Sequence, residues 1–209
     1  TGEEQTEEYS NFVMYSEAGS PDIIPTSNFI QLEDLQGGEI VGIETLMSDI
    51  IVFMTKGIFR INIPSGDPTN WSLVEAHPDI GCLHDRAIAK APNGIFFCSK
   101  DSIHYIDSSF SVTSITEPIK DVYQTNATSN ESTYNLRYDV KHNRLYFNFV
   151  PSSTSVVYVY DIGRGTWYQD VYKGYTNGFK HISTNHENEL IAIDRGSGSN
   201  LQYVEGSNY

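Results

Sequence analysis

Short apolar runs recur in pairs along this chain, each pair interrupted by turn residues. Asp49-Ile-Ile-Val-Phe-Met-Thr-Lys-Gly-Ile-Phe-Arg-Ile-Asn reads as two strands joined at Thr55-Lys56-Gly57. Asn93-Gly-Ile-Phe-Phe-Cys-Ser-Lys-Asp-Ser-Ile-His-Tyr-Ile-Asp repeats the pattern, turning at Ser99 to Ser102. His142-Asn-Arg-Leu-Tyr-Phe-Asn-Phe and Ser155-Val-Val-Tyr-Val-Tyr-Asp form a third copy across Pro-Ser-Ser-Thr-Ser. Glu189-Leu-Ile-Ala-Ile-Asp and Leu201-Gln-Tyr-Val-Glu form a fourth across Gly196-Ser-Gly-Ser-Asn. Branched and aromatic residues bounded by Gly, Asn, Asp and Ser are the signature of β-hairpins.

Aligning Phe53, Phe97, Phe147 and Ala192 gives intervals of 44, 50 and 45 residues, longer than the strand spacing of a sandwich. Each hairpin has an apolar segment upstream: Glu39 to Glu44, Ala87 to Ala91, Tyr134 to Asp139 and Gly178 to Ser183. Three have one downstream: Trp71 to Glu75, Val112 to Thr116 and Thr166 to Asp170. Upstream strand, hairpin and outer strand make a four-stranded blade. The expected fold class is therefore all-β, a β-propeller or an arc of one. Its blades fall near residues 37–76, 80–118, 132–170 and 175–209, and residues 9–36 form the outer part of another. Pro and Gly punctuate the chain closely enough that no amphipathic helix of useful length is expected. Residues 1–8 read as an acidic polar end or linker. Thr1 follows no methionine, and a piece of a longer polypeptide is expected.

The 209 residues are 39% hydrophobic and 12% aromatic, which supplies a core and excludes disorder throughout. Apolar runs such as Ile50 to Met54 and Val156 to Tyr160 are five residues, far short of the roughly 20 a helix needs to span a bilayer. Thirteen Lys and Arg against 27 Asp and Glu leave a net charge of −14, which disfavours tight binding to DNA or anionic lipid. The nearest cationic pairs, Lys56 with Arg60 and Lys141 with Arg144, do not make a cluster. An acidic surface of this kind suits a wall past which DNA slides without sticking. Cys82 and Cys98 each stand beside apolar residues and read as buried thiols. Asn70-Trp-Ser, Asn126-Ala-Thr and Asn130-Glu-Ser match the glycosylation sequon, and with no secretion signal visible they are expected to be chance matches.

From Phe12-Val-Met-Tyr-Ser-Glu-Ala-Gly-Ser-Pro through Asn28-Phe-Ile, Gly42-Ile, Ile50-Ile-Val-Phe, Gly57-Ile-Phe-Arg-Ile, Trp71-Ser-Leu, Gly81-Cys and Gly94-Ile-Phe-Phe to Asp101-Ser-Ile-His-Tyr-Ile-Asp, the chain resembles the propeller of tailed-bacteriophage virion proteins of the tail-nozzle and packaged-DNA stabilisation type. The resemblance covers about residues 11–107. It implies a non-enzymatic structural component of a phage tail or neck, located in the virion. Partners would be other virion proteins, in a homo-oligomeric ring or tail assembly, with genomic DNA passing without tight binding and no membrane involved. It supplies no catalytic residue and no cofactor.

The residues themselves leave two rivals open, a carbohydrate- or receptor-binding propeller and a glycosidase-like hydrolase. Hydrolysis needs two carboxylates facing one cavity. Asp49, Asp101, Asp107, Asp139, Asp161 and Asp194 are numerous enough to provide them, but they sit at strand ends and turns, where Asp caps backbone. His77, His84, His104, His142, His181 and His186 lack close metal-ligand spacing, so no metal is expected. Asp161-x-Gly163-x-Gly165 and Asp194-x-Gly196-x-Gly198 lack the oxygens of a calcium loop. No nucleophile elbow or phosphate-binding Gly-rich loop is present. Eight tyrosines and Trp167 between Tyr134 and Tyr175 suit blade packing, and the two expected to stand exposed as a partner contact are Tyr168 and Tyr172.

Overall fold

The computed structural model describes residues 10–32, 38–130, 134–148, 156–171, 179–194 and 201–203. They fold into two compact units, residues 1–81 and 82–209, which are taken in turn.

In the first unit, β1 (Phe12–Met14) pairs antiparallel with β2 (Phe29–Gln31), Val13 opposite Ile30. A four-stranded antiparallel meander follows: β3 (Ile40–Leu46), β4 (Asp49–Met54), β5 (Ile58–Asn62) and β6 (Ser72–His77). Alternation sends Val52 and Met54 of β4 and Phe59 and Ile61 of β5 into one cluster with Leu32. Val13 and Ile30 of the first hairpin pack against it, so burying that face ties the two-stranded and four-stranded sheets together. A two-stranded sheet alone is marginal in water, and this apolar contact is its support. The β3–β4 turn places Met47 at φ 57, a left-handed conformation that leaves its side chain 75% exposed. Gly81 is required by close approach: a Cβ there would lie 2.0 Å from the Thr55 carbonyl oxygen.

The second unit begins with the meander β7 (Ile88–Ala91), β8 (Gly94–Cys98), β9 (Ile103–Asp107) and β10 (Val112–Ser114). A second meander follows a helix: β11 (Asn135–Asp139), β12 (Arg144–Asn148), β13 (Val156–Asp161) and β14 (Thr166–Val171). The next sheet comprises β15 (Phe179–Thr184), β16 (Leu190–Asp194) and β17 (Leu201–Tyr203). Tyr146, Val157 and Val159 of one sheet meet Ile182, Leu190 and Ala192 of the next in a shared core. Trp167 Nε1 donates to the Ile115 carbonyl at 2.6 Å, fastening β14 to the chain after β10.

The expected hairpins and their flanking strands thus form three complete four-stranded antiparallel meanders, and the fold is all-β of the β-propeller type. The Pro-Ser-Ser-Thr-Ser and Gly196-Ser-Gly-Ser-Asn turns lie outside the described residues.

One expectation is corrected. A helix, α1 (Lys120–Asn130), joins the two meanders of the second unit. It follows a short 3-10 turn at Glu117–Ile119 with Pro118 in its first positions, which a helix start tolerates. No apolar stripe announces α1; among its described side chains Tyr123 is the buried one. Tyr123 is fully buried, its hydroxyl donates to the Ser99 carbonyl at 2.5 Å, and its ring packs with Tyr134 and Phe147 at 5.2 and 5.6 Å. One wedge of this kind is invisible to a periodicity test.

Candidate functional site

The carboxylates that the sequence offers for chemistry hold turns and blades. Asp49, 2% exposed, accepts from Arg60 Nε at 2.5 Å and from Asn62 Nδ2 at 2.8 Å across the β4–β5 pair. Asp107 accepts from the Ser109 and Ser111 backbone N–H groups at 2.8 and 3.0 Å, and these bonds with the Ser109 hydroxyl lower its carboxyl below the usual range. Asp139, 1% exposed, accepts from Lys141 N at 2.9 Å and meets His142 Nδ1 at 2.6 Å. Asp161 caps Arg164 N at 3.0 Å. The Asp194 side chain lies outside the described residues.

Ser99, Asp101 and His104 come together in the β8–β9 turn, but not as a charge-relay triad. His104 Nε2 lies 3.0 Å from Ser99 Oγ, and the nearest Asp101 oxygen stands 3.6 Å from that same nitrogen. A triad needs the carboxylate on the other ring nitrogen. Ser99 Oγ also accepts the Ser102 N–H at 3.2 Å and is itself bonded to Asp101, so it serves the turn. Among the described residues no group of three or more His, Cys, Asp or Glu could hold a metal ion. A depression of about 190 Å³, open mouth included, is lined by Asp139, Lys141, His142, Asn188, Glu189 and Leu190. That is below the roughly 300–1,000 Å³ of ordinary ligand sites.

Tyr168 is half-buried, packed against the Tyr146, Val157 and Ile182 core, with the Arg144 guanidinium carbon 5.8 Å from its ring centroid. Tyr172 lies outside the described residues. Cys82 and Cys98 are free and buried, and burial pushes the Cys82 thiol up to about 12.

A constellation unseen in the sequence forms on the first strands of the second unit. Strand β11 lies beside both β7 and β15, and beside the 3-10 turn Asp85–Ala87 that leads into β7. Asn135 and Arg137, two residues apart, share one face of β11. Asn135 Oδ1 accepts the Ile182 backbone N–H at 3.3 Å, which fixes the amide. Its Nδ2 must then donate to His181 Nδ1 at 2.9 Å, leaving the ring hydrogen on Nε2. Arg137 Nη2 donates to Thr184 Oγ1 at 2.7 Å. Burial lowers the His181 imidazole below its usual 6.5, the guanidinium groups of Arg86 and Arg137 lower it further, and Asp85 acts the other way. Asn135 and Arg137 of β11 are thus joined to His181 and Thr184 of β15 across two sheets. The visible signal was the alternation of Asn135, Arg137 and Asp139 with Leu136 and Tyr138, the mark of a strand with a polar face.

No protein-family model matches the sequence, and no curated protein matches it. Solved structures do match. The chain is similar to YCF48 from Cyanidioschyzon merolae at 12% identity, covering 96% of this chain and 69% of that one with a TM-score of 0.52. It is similar to the dihydro-heme d1 dehydrogenase NirN in complex with DHE at 12% identity, over 93% and 43%, with a TM-score of 0.53. A chain of a mitotic checkpoint complex matches at 12% identity, over 89% and 54%, with a TM-score of 0.50. The neighbours are β-propeller and WD40-like folds. The likeness is one of fold alone. The chain spans less than half the length of the first structures it matches, 23% of one and 43% of NirN.

Proposed function

We propose that this chain is a non-enzymatic β-propeller element of a tailed-phage virion, in the tail or neck, working through contacts with other virion proteins. The observation that carries the contact role is the exposed apolar surface of the first unit. Met14, Ile24, Phe29, Ile43, Met47 and Val74 are between 42% and 75% exposed there, whereas in the second unit Val140 is the described large hydrophobic side chain in that state. Apolar side chains concentrated in one part of a surface favour a protein partner over water. The virion setting rests on the sequence resemblance over residues 11–107. The net charge of −14 adds that genomic DNA bordering the domain would be repelled, over only about 8–10 Å at physiological salt.

Cryo-electron microscopy of the native particle tests the placement, with density for this chain expected at the tail or neck. Met47→Asp tests the surface: incorporation into particles should fall while the isolated chain unfolds at an unchanged denaturant midpoint. A chain absent from purified particles, or one that binds glycans, would overturn the reading.

A further inference from the structure

We infer that the outer edge of β2 pairs with the same edge of a second copy of this chain, so that two β1–β2 hairpins form one four-stranded antiparallel sheet. The hydrogen-bond register fixes which groups face that edge. Tyr15 N donates to the Asn28 carbonyl at 3.1 Å and Leu32 N to the Asn11 carbonyl at 2.9 Å, with Val13 opposite Ile30 between them. Bonded and non-bonded pairs alternate along an antiparallel ladder, so the N–H and C=O groups of Phe29 and Gln31 point away from β1. Among the described residues β1 is the only strand beside β2. The hairpin is held in place before any partner arrives. Asn11 Nδ2 donates to the Leu32 carbonyl at 3.0 Å, Leu32 is fully buried, and Val13 and Ile30 pack into the core of the first unit.

Edge strands are ordinarily guarded by a charge, a proline or a bulge. Residues 27–32 contain no charged residue and no proline, and the β1–β2 register runs without a shift. Residues 11–15 opposite are uncharged as well, so the pairing surface is neutral in a chain of charge −14. A two-fold axis through Ile30 sets Phe29 of one copy opposite Gln31 of the other, and each such pair exchanges both of its outward N–H···O=C bonds. That register uses every outward-pointing backbone group of the strand. Met14 and Phe29, 50% and 42% exposed, share the face opposite Val13 and Ile30, where the Phe29 ring lies 4.8 Å from that of Phe12. Across the axis the two Phe29 side chains are diagonal neighbours, within reach for aromatic rings, so pairing removes apolar surface from water. A second copy fits better than a lone peptide strand because it brings the two strands this sheet lacks beside the four-stranded meanders of the same chain. The inference rests on the contact role proposed above for the first unit, not on its virion setting.

Sedimentation velocity of the whole 209-residue chain, from about 10 μM to about 1 mM, should show monomer passing into dimer with a Kd on the order of 100 μM. Gln31→Pro removes an outward N–H and leaves the bonds to β1 intact, a change that an edge strand tolerates. It should weaken the dimer about tenfold, through the hydrogen bond lost on each side of the axis, with the unfolding midpoint of the monomer unchanged. Ile30→Cys gives a second reading. On the axis its Cα would stand about 4.5 Å from its counterpart, within disulfide range, so mild oxidation should cross-link the two copies. Val74→Cys, at an equally exposed position on β6, should not cross-link, and the buried Cys82 and Cys98 stay out of the reaction. A chain that remains monomeric throughout, a dimer that Gln31→Pro leaves as tight, or Ile30→Cys cross-linking no faster than Val74→Cys would each overturn the proposal. The first of these would leave the edge to a strand from another protein. If the purified chain dimerises while particles lack it, the pairing stands and the virion reading fails; a monomeric chain found in the particle separates them the other way.

Discussion

Asn135 and His181, 46 residues apart, are joined by a 2.9 Å hydrogen bond that ties the first strands of two successive sheets. Because the same amide also accepts the Ile182 N–H, it acts as a backbone clamp as well as an orienter of the imidazole. A buried side chain that satisfies a neighbouring strand's main chain stabilises both packing and register, since each unmade bond leaves a desolvated polar group.

Replacing that clamp should therefore cost more than its volume suggests. Asn135→Leu is expected to destabilise the chain by about 1–3 kcal/mol, by orphaning the Ile182 N–H and adding apolar bulk. Urea unfolding followed by tyrosine fluorescence measures it. An unchanged midpoint would show that water substitutes for the amide.

Asp49 gives a parallel case inside one blade. Its two oxygens hold Arg60 and Asn62 while the residue is 2% exposed. Asp49→Ala should lose about 1–3 kcal/mol. Arg60→Ala should lose less, because its side chain is 32% exposed. The double variant should recover part of the sum, and a double-mutant cycle reads that coupling directly.

Gly94 opens β8 against a crowded neighbour. A Cβ there would sit 2.2 Å from the Ile106 carbonyl oxygen and 2.5 Å from ring carbons of Tyr105. Gly94→Ala should cost about 1–3 kcal/mol as β8 and β9 are forced apart. Gly66→Ala, with nothing within 4 Å of the added carbon, is the control and should leave the melting temperature nearly unchanged.

Acid should unfold the chain partly through His181. Its folded pKa lies below the ordinary 6.5, so the unfolded chain binds the proton more readily. The associated stability is complete above about pH 6.5 and is lost as pH falls from there toward the folded value. Carboxylates such as Asp107, with folded pKa also lowered, titrate further into acid. Denaturation midpoints between pH 7.5 and 5.5 should fall for the natural chain and less for His181→Gln; parallel curves would refute the assignment.

Both thiols should be silent in the folded state. With burial raising Cys82 to about 12 and Cys98 well above its usual value, neither forms thiolate near pH 8. An aromatic disulfide reagent is expected to find no reactive thiol in the native chain and both after urea denaturation.

By itself the sequence determined the hairpins, their order and the four-stranded repeat. Those features are local: alternation in Ile50 to Met54 or Ile95 to Cys98, and turn residues between strands, bias a few adjacent residues at a time. It also marked Asp107 and Asp161 as turn-capping residues, since their partners lie within four positions. Tertiary structure alone decided the rest. Helix α1 exists because the Tyr123 ring finds a pocket made by Tyr134 and Phe147, which propensity along residues 120–130 does not encode. Tyr168 is half-buried because Arg144 and the β12–β13 core reach it from another part of the sheet. Asn135 and Arg137 meet His181 and Thr184 because their strands pack side by side, and hydrogen bonds depend on distance in space, not on separation along the chain.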